Sequence, residues 1–450
     1  MKRNIKSVLV AAVMVLPFVP ATAQNTYSGY FTDGYLYRHQ MNPAFGNEKS
    51  YVSIPILGSV NMAFKGDLGM SDVLYNVNGK TTTFMNPNIS AAEALNNIDD
   101  QNKFGIDMRM QLMSVGFKAF NGYNTIGLNF RSNLGFIIPG EFFRLAKEGV
   151  SNRSYLIEDM RMHADAFVEL AFGHSRQINE NFRVGATMKF LLGGANIDAH
   201  FKQVQLNLGE DNWTATSEAE IQSSMKGMTY ETKTNTDTNH RYVSGMDVDS
   251  PGVSGFGVAI DLGAAYKLND WTFSAALLDL GFINWSNNIV ASTNGVKTFE
   301  TNRYIFNVDD DQPNNFDDEM ERLTNDLSAL YELDNKGDMG SRSKTLAATL
   351  NAGAEYTLPA YRKLSFGALS TTRFQGDFTW TEFRLSANWN PFKSFSLGVN
   401  GVTGTYGTGF GGIIKYGGFF LAVDRMMSVS KQGIPVDANA SFHLGTNIVF

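Results

Sequence analysis

Strict alternation of apolar and polar positions recurs along the chain. In residues 182–192 one parity carries Phe182, Val184, Ala186, Met188, Phe190 and Leu192, and the other carries Arg183, Gly185, Thr187 and Lys189. Side chains of an extended strand point alternately to its two faces, so this period of two predicts a strand with one apolar face. Residues 256–266 repeat the pattern with Phe256, Val258, Ile260, Leu262, Ala264 and Tyr266 on one side. Residues 346–356 set Leu346, Ala348, Leu350, Ala352, Ala354 and Tyr356 against Thr349, Asn351, Gly353 and Glu355, and Phe383, Leu385, Ala387 and Trp389 alternate with Glu382, Arg384, Ser386 and Asn388. Shorter runs at 104–112, 126–130, 164–172, 395–399 and 410–416 fit the same template.

Alternation is shared by soluble sandwiches and membrane barrels, and the ends of the runs separate the two. The short links Asn121-Gly122, Leu268-Asn269-Asp270, Leu358-Pro359-Ala360, Asn390-Pro391 and Gly417-Gly418 are flanked by Phe120/Tyr123, Tyr266/Trp271, Tyr356/Tyr361, Trp389/Phe392 and Tyr416/Phe419. Aromatic rings beside tight turns are the belt expected at the headgroup level of a membrane barrel, and the long links at 67–103, 136–162, 284–343 and 426–438 then all fall at the opposite end. The pattern predicts a transmembrane antiparallel β-barrel over residues 51–450. One strand precedes residue 67, and further strands begin near 104, 122, 163, 181, 254, 271, 344, 363, 379, 394, 409, 418 and 440, giving 14. The stretch 199–222, two alternating runs around Gly209-Glu210-Asp211-Asn212, either extends the neighbouring strands on the extracellular side, which leaves 14, or spans, which raises the count to 16.

The last run places Phe442, Leu444, Thr446, Ile448 and Phe450 on one parity and ends on an aromatic residue. It resembles the terminal signature by which outer-membrane barrels are recognised, making Phe442, Leu444, Ile448 and Phe450 a candidate insertion signal. That resemblance implies the barrel assembly machinery and outer-membrane lipid as partners.

Residues 1–23 read as a signal peptide: Lys2, Arg3 and Lys6, an apolar stretch from Val8 to Val19, then Ala21-Thr22-Ala23 before Gln24. Its three bases leave the mature chain at 34 − 44 = −10. Localisation in the outer membrane of a Gram-negative bacterium, after cleavage near Ala23, is the expectation. No later window of about 18 apolar residues predicts a membrane helix.

Composition removes other readings. With no cysteine among 450 residues, thiol nucleophiles and cysteine zinc sites are out. The net charge of −7 lacks the basic footprint that nucleic acid requires. None of the six histidines, His39, His163, His174, His200, His240 and His443, lies in a nucleophile or zinc motif, so we expect no enzyme, cofactor or metal. The acidic runs 309–311 and 334–338 lack calcium-loop spacing. A capping box begins at Ser90, and helices are predicted at 140–148 and 316–330 in the long links.

On the predicted inner parity lie Asp107, Arg109, Asp165, Glu169, Arg183, Lys189, Asp261, Lys267, Glu355, Glu382 and Arg384, which either satisfy one another or line a solute path. Glycines there, Gly185, Gly257, Gly263 and Gly353, would let strands bend or leave room in the lumen.

The mature N-terminus, residues 34–45 ending in Asn42-Pro43-Ala44-Phe45 and followed by Tyr51-Val52-Ser53-Ile54-Pro55, resembles a Bacteroidetes family of outer-membrane β-barrels described as a domain of unknown function. The Asn-Pro-Ala box is also similar to that of the long-chain fatty-acid transporter family, 14-stranded barrels plugged by their N-terminal segment. An NPAF string likewise occurs in barrels of the type IX secretion and gliding apparatus. The resemblances imply that residues 24–50 form a periplasmic or plug segment with Asn42, Pro43, Ala44 and Phe45 as its candidate hatch. Pro43 holds Asn42 extended and makes a rigid corner. Two functions follow as expectations: a channel for uptake of small hydrophobic solutes, or a structural, secretion-associated barrel that binds protein partners.

Overall fold

The computed structural model describes residues 26–47, 49–148, 153–208, 212–234, 239, 241–293, 296–300, 333–426 and 439–450. The expected signal peptide and the helix at 316–330 lie outside these residues. Fourteen antiparallel strands close into a barrel. They are β1 (Tyr51–Ser53 and Val60–Gly66), β2 (Gln101–Ala119), β3 (Gly122–Pro139), β4 (Arg153–Gln177), β5 (Phe182–Leu208), β6 (Gly255–Leu268) and β7 (Trp271–Trp285). Then follow β8 (Arg342–Thr345 and Ala348–Thr357), β9 (Leu364–Phe374), β10 (Trp380–Phe392), β11 (Phe395–Gly404), β12 (Gly407–Tyr416), β13 (Phe419–Val423) and β14 (Ala440–Gly445 and Asn447–Val449).

The ring shuts where β1 meets β14, with Tyr51 opposite Val449 and Val60 opposite Leu444. In hydrocarbon an unpaired backbone N–H or C=O costs on the order of several kcal/mol, so a sheet edge there is untenable and the first and last strands must pair. The question of 14 or 16 strands is decided by register. Gly255 of β6 sits opposite Gly193 of β5, making these strands direct neighbours in the wall. Strand Asn212–Met225 folds back on the far end of β5 and carries Asn288–Thr293 and Val296–Glu300 on its other edge. This sheet extends the wall outward and never re-enters it. At 25 and 27 residues, β4 and β5 far exceed the roughly 10 residues needed to cross a bilayer.

Exposed side chains form the apolar exterior that alternation predicts. Met188, Phe190, Leu192, Val258, Ile260, Leu262, Leu350 and Leu385 all face outward, and Phe120, Tyr266, Trp271, Trp389, Phe392, Tyr416 and Phe450 ring the short-turn end. Two positions depart from the pattern. Tyr123 is buried and donates its hydroxyl to Lys49 O (3.0 Å), so it belongs to the lumen and not to the belt. Leu346 falls in the break between the two parts of β8 and packs on the inner cluster of Phe167, Leu191 and Trp285. Among the described residues no helix is long and apolar enough to cross a membrane. Ser90 Oγ accepts from Glu93 N (3.1 Å) to cap a short helix, and helix α1 (Gly140–Glu148) buries Phe143 against Phe84 at the long-loop end.

Candidate functional site in the barrel lumen

The N-terminal segment, residues 26–47, lies inside the ring as two 3₁₀ turns, Tyr27–Gly29 and Arg38–Gln40, joined by further turns. Its rings bury against the wall and one another: Tyr30 meets Phe45 edge-on at 5.2 Å, and Tyr35 meets Phe420 of β13 at 5.0 Å. Polar bonds then fix it from around the ring. Asn400 of β11 donates to Ser28 Oγ (2.9 Å), Tyr37 donates to Asn447 Oδ1 of β14 (2.6 Å), and Asn351 of β8 donates to Met41 O (2.8 Å). Asp424, at the outer end of β13, accepts from Tyr27 N (2.9 Å) and Ser28 N, which anchors the start of the segment.

The Asn-Pro corner is the other anchor. Asn42 Nδ2 donates to Ala264 O and Ala275 O, each at 3.2 Å, across the β6–β7 pair, while its Oδ1 accepts from Ala44 N (2.9 Å). Glycines make room for this corner. A Cβ on Gly263 would lie 2.1 Å from Asn42 Oδ1, and one on Gly185 would lie 2.1 Å from Pro43 O. Gly353 and Gly367 likewise face the Phe31 ring. The room left by the inner glycines at 185, 263 and 353 is taken up by the N-terminal segment, whereas Gly257 abuts Phe282 O and Ile283 of the wall.

Further along β4, from Ser175 beside the segment toward Arg153, a network of buried charges crosses the lumen. Glu169 accepts from Arg109 (2.9 Å), Arg131 (2.8 Å) and Asn129 (2.9 Å). Lys189 lies 2.7 Å from both Asp261 and Asp279, and Arg131 grips both oxygens of Asp279 at 2.8 and 2.9 Å. Three cations, Arg109, Arg131 and Lys189, thus balance three carboxylates, Glu169, Asp261 and Asp279, which is how charges survive away from bulk water. A second group sits on the opposite wall, where Glu382 bridges Arg384 and Arg425 at 3.3 Å each and Lys65 stands 3.3 Å above the Trp380 ring.

Beyond the network a cavity of about 400 Å³ opens at the long-loop end. Its polar lining includes Arg161, His163, Asp198, Lys344 and Arg373, and Phe167, Ile283, Trp285 and Phe378 give it apolar walls. His163 is clamped between Asp165 and Asp198, 2.9 Å from each, and Lys344 Nζ lies 2.9 Å from its ring. The link from β9 to β10 leans over this cavity as a 3₁₀ turn, Gly376–Phe378. Lys103 donates to Asp377 O (2.7 Å), the Asp377 carboxylate pairs with Arg161, and Phe378 rests where Gly135 has no side chain.

A family model described as a family of unknown function (DUF5723) matches residues 43–424. The chain belongs to this family. No curated protein matches it. Among solved structures, this DUF5723 member is similar to the toluene transporter TodX of Pseudomonas putida, at 9% identity and a TM-score of 0.39 over 96% of this chain and 94% of that one. It is similar to the toluene transporter TbuX of Ralstonia pickettii at 10% identity and a TM-score of 0.40, covering 96% and 95%. A Pseudomonas aeruginosa FadL homologue gives 11% identity and 0.36, covering 95% and 98%. These are likenesses of overall form.

The residues singled out in the DUF5723 sequence divide by place. Arg109, Glu169, Lys189 and Asp261 meet in the central network, Asp165 lines the outer cavity, and Glu382 and Arg384 share the second group, with Asp107 3.9 Å from Lys65 beside it. Glu355 accepts from Ser365 (2.7 Å) near the N-terminal segment, and Arg183 stands beside Gly46. Lys267 is exposed at the short-turn rim, apart from the others. Phe442 and Leu444 are half-buried on the outer parity, with Ile448 and Phe450 exposed. Arg131, Asp279, Arg373 and Asp424 belong to the candidate site but were not picked out from the sequence. Asp279 escapes a parity count because it sits in a bulge with φ +59°, opposite a register shift at Ile260/Leu262, where the inward face changes from even to odd positions.

Proposed function

We propose that the protein is an outer-membrane channel for uptake of small solutes with an apolar body, held closed by residues 26–47. The observation that carries this reading is that the wall closes without the segment: β1 pairs β14 directly, and the segment is held by side-chain contacts and turns in place of ladder pairing. A piece of chain that fills a lumen without building its wall can leave while the barrel stays shut. Asn42, Pro43, Ala44 and Phe45 form the hatch, gripping β6 and β7. The Phe442, Leu444, Ile448 and Phe450 face serves insertion by the assembly machinery, after a signal peptide is cleaved near Ala23. The test is efflux of a small aromatic hydrocarbon from liposomes carrying the full mature barrel or a variant lacking residues 26–48. Deletion raises flux while heat-modifiable gel mobility still reports a folded barrel; unchanged flux overturns the reading.

One observation favours a second role. The outward sheet built on β4 and β5 and the separate hairpin of Met228–Thr234 and Arg241–Val248 share an apolar cluster of Met228, Tyr230, Ala291 and Leu333, more structure than a passive pore requires. A scaffold for a secreted or surface protein uses such an extension, and recovery of the barrel alone after crosslinking in native membranes excludes it.

A further inference from the structure

We infer that the outer cavity is a binding site for a solute that joins one anionic group to a compact apolar body, and that Asp377 occupies the anion's place when the site is empty. The inference deepens the channel reading, on which it rests, by naming the solute's chemistry. Besides Arg131, which the central network already engages, three cationic side chains reach the cavity from different strands: Arg161 of β4, Lys344 of β8, which pairs with Asp198, and Arg373 of β9. Arg373 has a side chain only 9% exposed, held by Asn133 Oδ1 at 2.9 Å, and its nearest carboxylate, Asp107, is 4.0 Å away. Its Nε has no hydrogen-bond acceptor among the described residues. A buried guanidinium N–H without an acceptor is costly, and an arriving carboxylate or phosphate oxygen supplies one.

The lid gives independent support. Asp377 reaches from the Gly376–Phe378 turn to Arg161, with both side chains partly exposed at 56% and 31%, the setting in which an ion pair is weak and readily exchanged. The turn itself is stiff: Phe378 N donates to Gln375 O (3.1 Å), Thr379 N to Gly376 O (3.1 Å) and Gln375 N to Thr379 Oγ1 (3.0 Å). When a solute anion takes Arg161, only the exposed Lys103 bond to Asp377 O still ties the turn down, and it lifts as one unit with Phe378 leaving its seat at Gly135. The apolar body of the solute then packs on Phe167, Ile283 and Trp285.

Titration calorimetry on the full mature barrel in detergent, with benzoate, inorganic phosphate and toluene as separate probes, tests this. Benzoate binds saturably and more tightly than either other probe. Arg161→Gln and Arg373→Gln each weaken benzoate by about tenfold, whereas Asp377→Asn, which removes the internal competitor, tightens it roughly two- to fivefold. Benzoate binding that ignores all three exchanges, no benzoate binding, or toluene binding as tight as benzoate overturns the inference. Phosphate binding as tight as benzoate overturns the requirement for an apolar body. Failure here with hydrocarbon flux still raised by deleting residues 26–48 leaves the channel reading standing. Unchanged flux alongside Arg-dependent benzoate binding removes the channel and keeps the site.

Discussion

Exchanging Gly263 for alanine loosens the N-terminal segment at its Asn-Pro corner. The new Cβ would lie 2.1 Å from Asn42 Oδ1, 2.8 Å from Pro43 Cδ and 3.0 Å from Ala44 N. Relief requires the corner to retreat by about 1 Å, since non-bonded carbon contacts are favourable only near 3.5 Å. Such a retreat stretches the two 3.2 Å bonds from Asn42 to Ala264 O and Ala275 O beyond bonding range and disturbs the 2.9 Å bond from Ala44 N. Three bonds at about 0.5–1.5 kcal/mol each put the loss at roughly 2–4 kcal/mol. The strand ladder does not change, so the cost falls on docking of the segment and not on the barrel. Hydrogen exchange over residues 40–46 reads it directly, with protection falling about 30- to 1,000-fold while β6 and β7 stay protected. Gly401→Ala is the control, because a Cβ there meets only the Phe410 ring at 4.0 Å. Unchanged protection at 40–46 in the Gly263 variant refutes the seating of the corner.

Other outcomes follow from the same structure. Glu169→Gln leaves Arg109 and Arg131 short of a carboxylate in a balanced network and lowers denaturant stability in bilayers by about 3–5 kcal/mol, and a loss under 1 kcal/mol would mean water already screens these charges. Leu262→Arg on the outer face costs about 2–4 kcal/mol of stability in lipid bilayers, whereas a soluble-protein surface would tolerate it. Phe450→Ala, which keeps the two backbone bonds to Ser50, slows assembly into the membrane in cells without altering the folded barrel's thermal midpoint, measured by pulse-labelling and heat-modifiable mobility.

The wall was legible in the sequence because a barrel strand writes its two environments into alternate residues. The alternation at 182–192 and 256–266 and the short links at 269–270 and 417–418 are local signals, and the strands stand where those signals put them. Arg109, Glu169, Lys189 and Asp261 could be grouped by parity for the same reason. Parity fails where the backbone slips. The bulge at Asp279 and the break at Leu346 each move a side chain to the other face without any mark in composition. Arg373 follows a run of Ser and Thr that shows no alternation, and its approach to Asn133 spans 240 positions. The seats at Gly185 and Gly263 were visible as inner glycines, but their partners lie more than 140 positions away, and only the closed ring brings them to Asn42 and Pro43. For 199–222 the sequence left extension and span both open, because these strands pair with a part of the wall beyond the lipid, where nothing imposes one apolar face.

The chain contains no cysteine, which opens a direct test of the segment's place and role. Thr32 Oγ1 lies 3.4 Å from Asn388 Oδ1 of β10, so the thiols of a Thr32→Cys/Asn388→Cys pair in an otherwise thiol-free barrel fall within reach of a short, reducible bis-thiosulfonate crosslinker. The account predicts that crosslinking abolishes solute flux through the reconstituted protein and that reductant restores it. A pair that the reagent never bridges, or flux that runs undiminished through the crosslinked barrel, contradicts it.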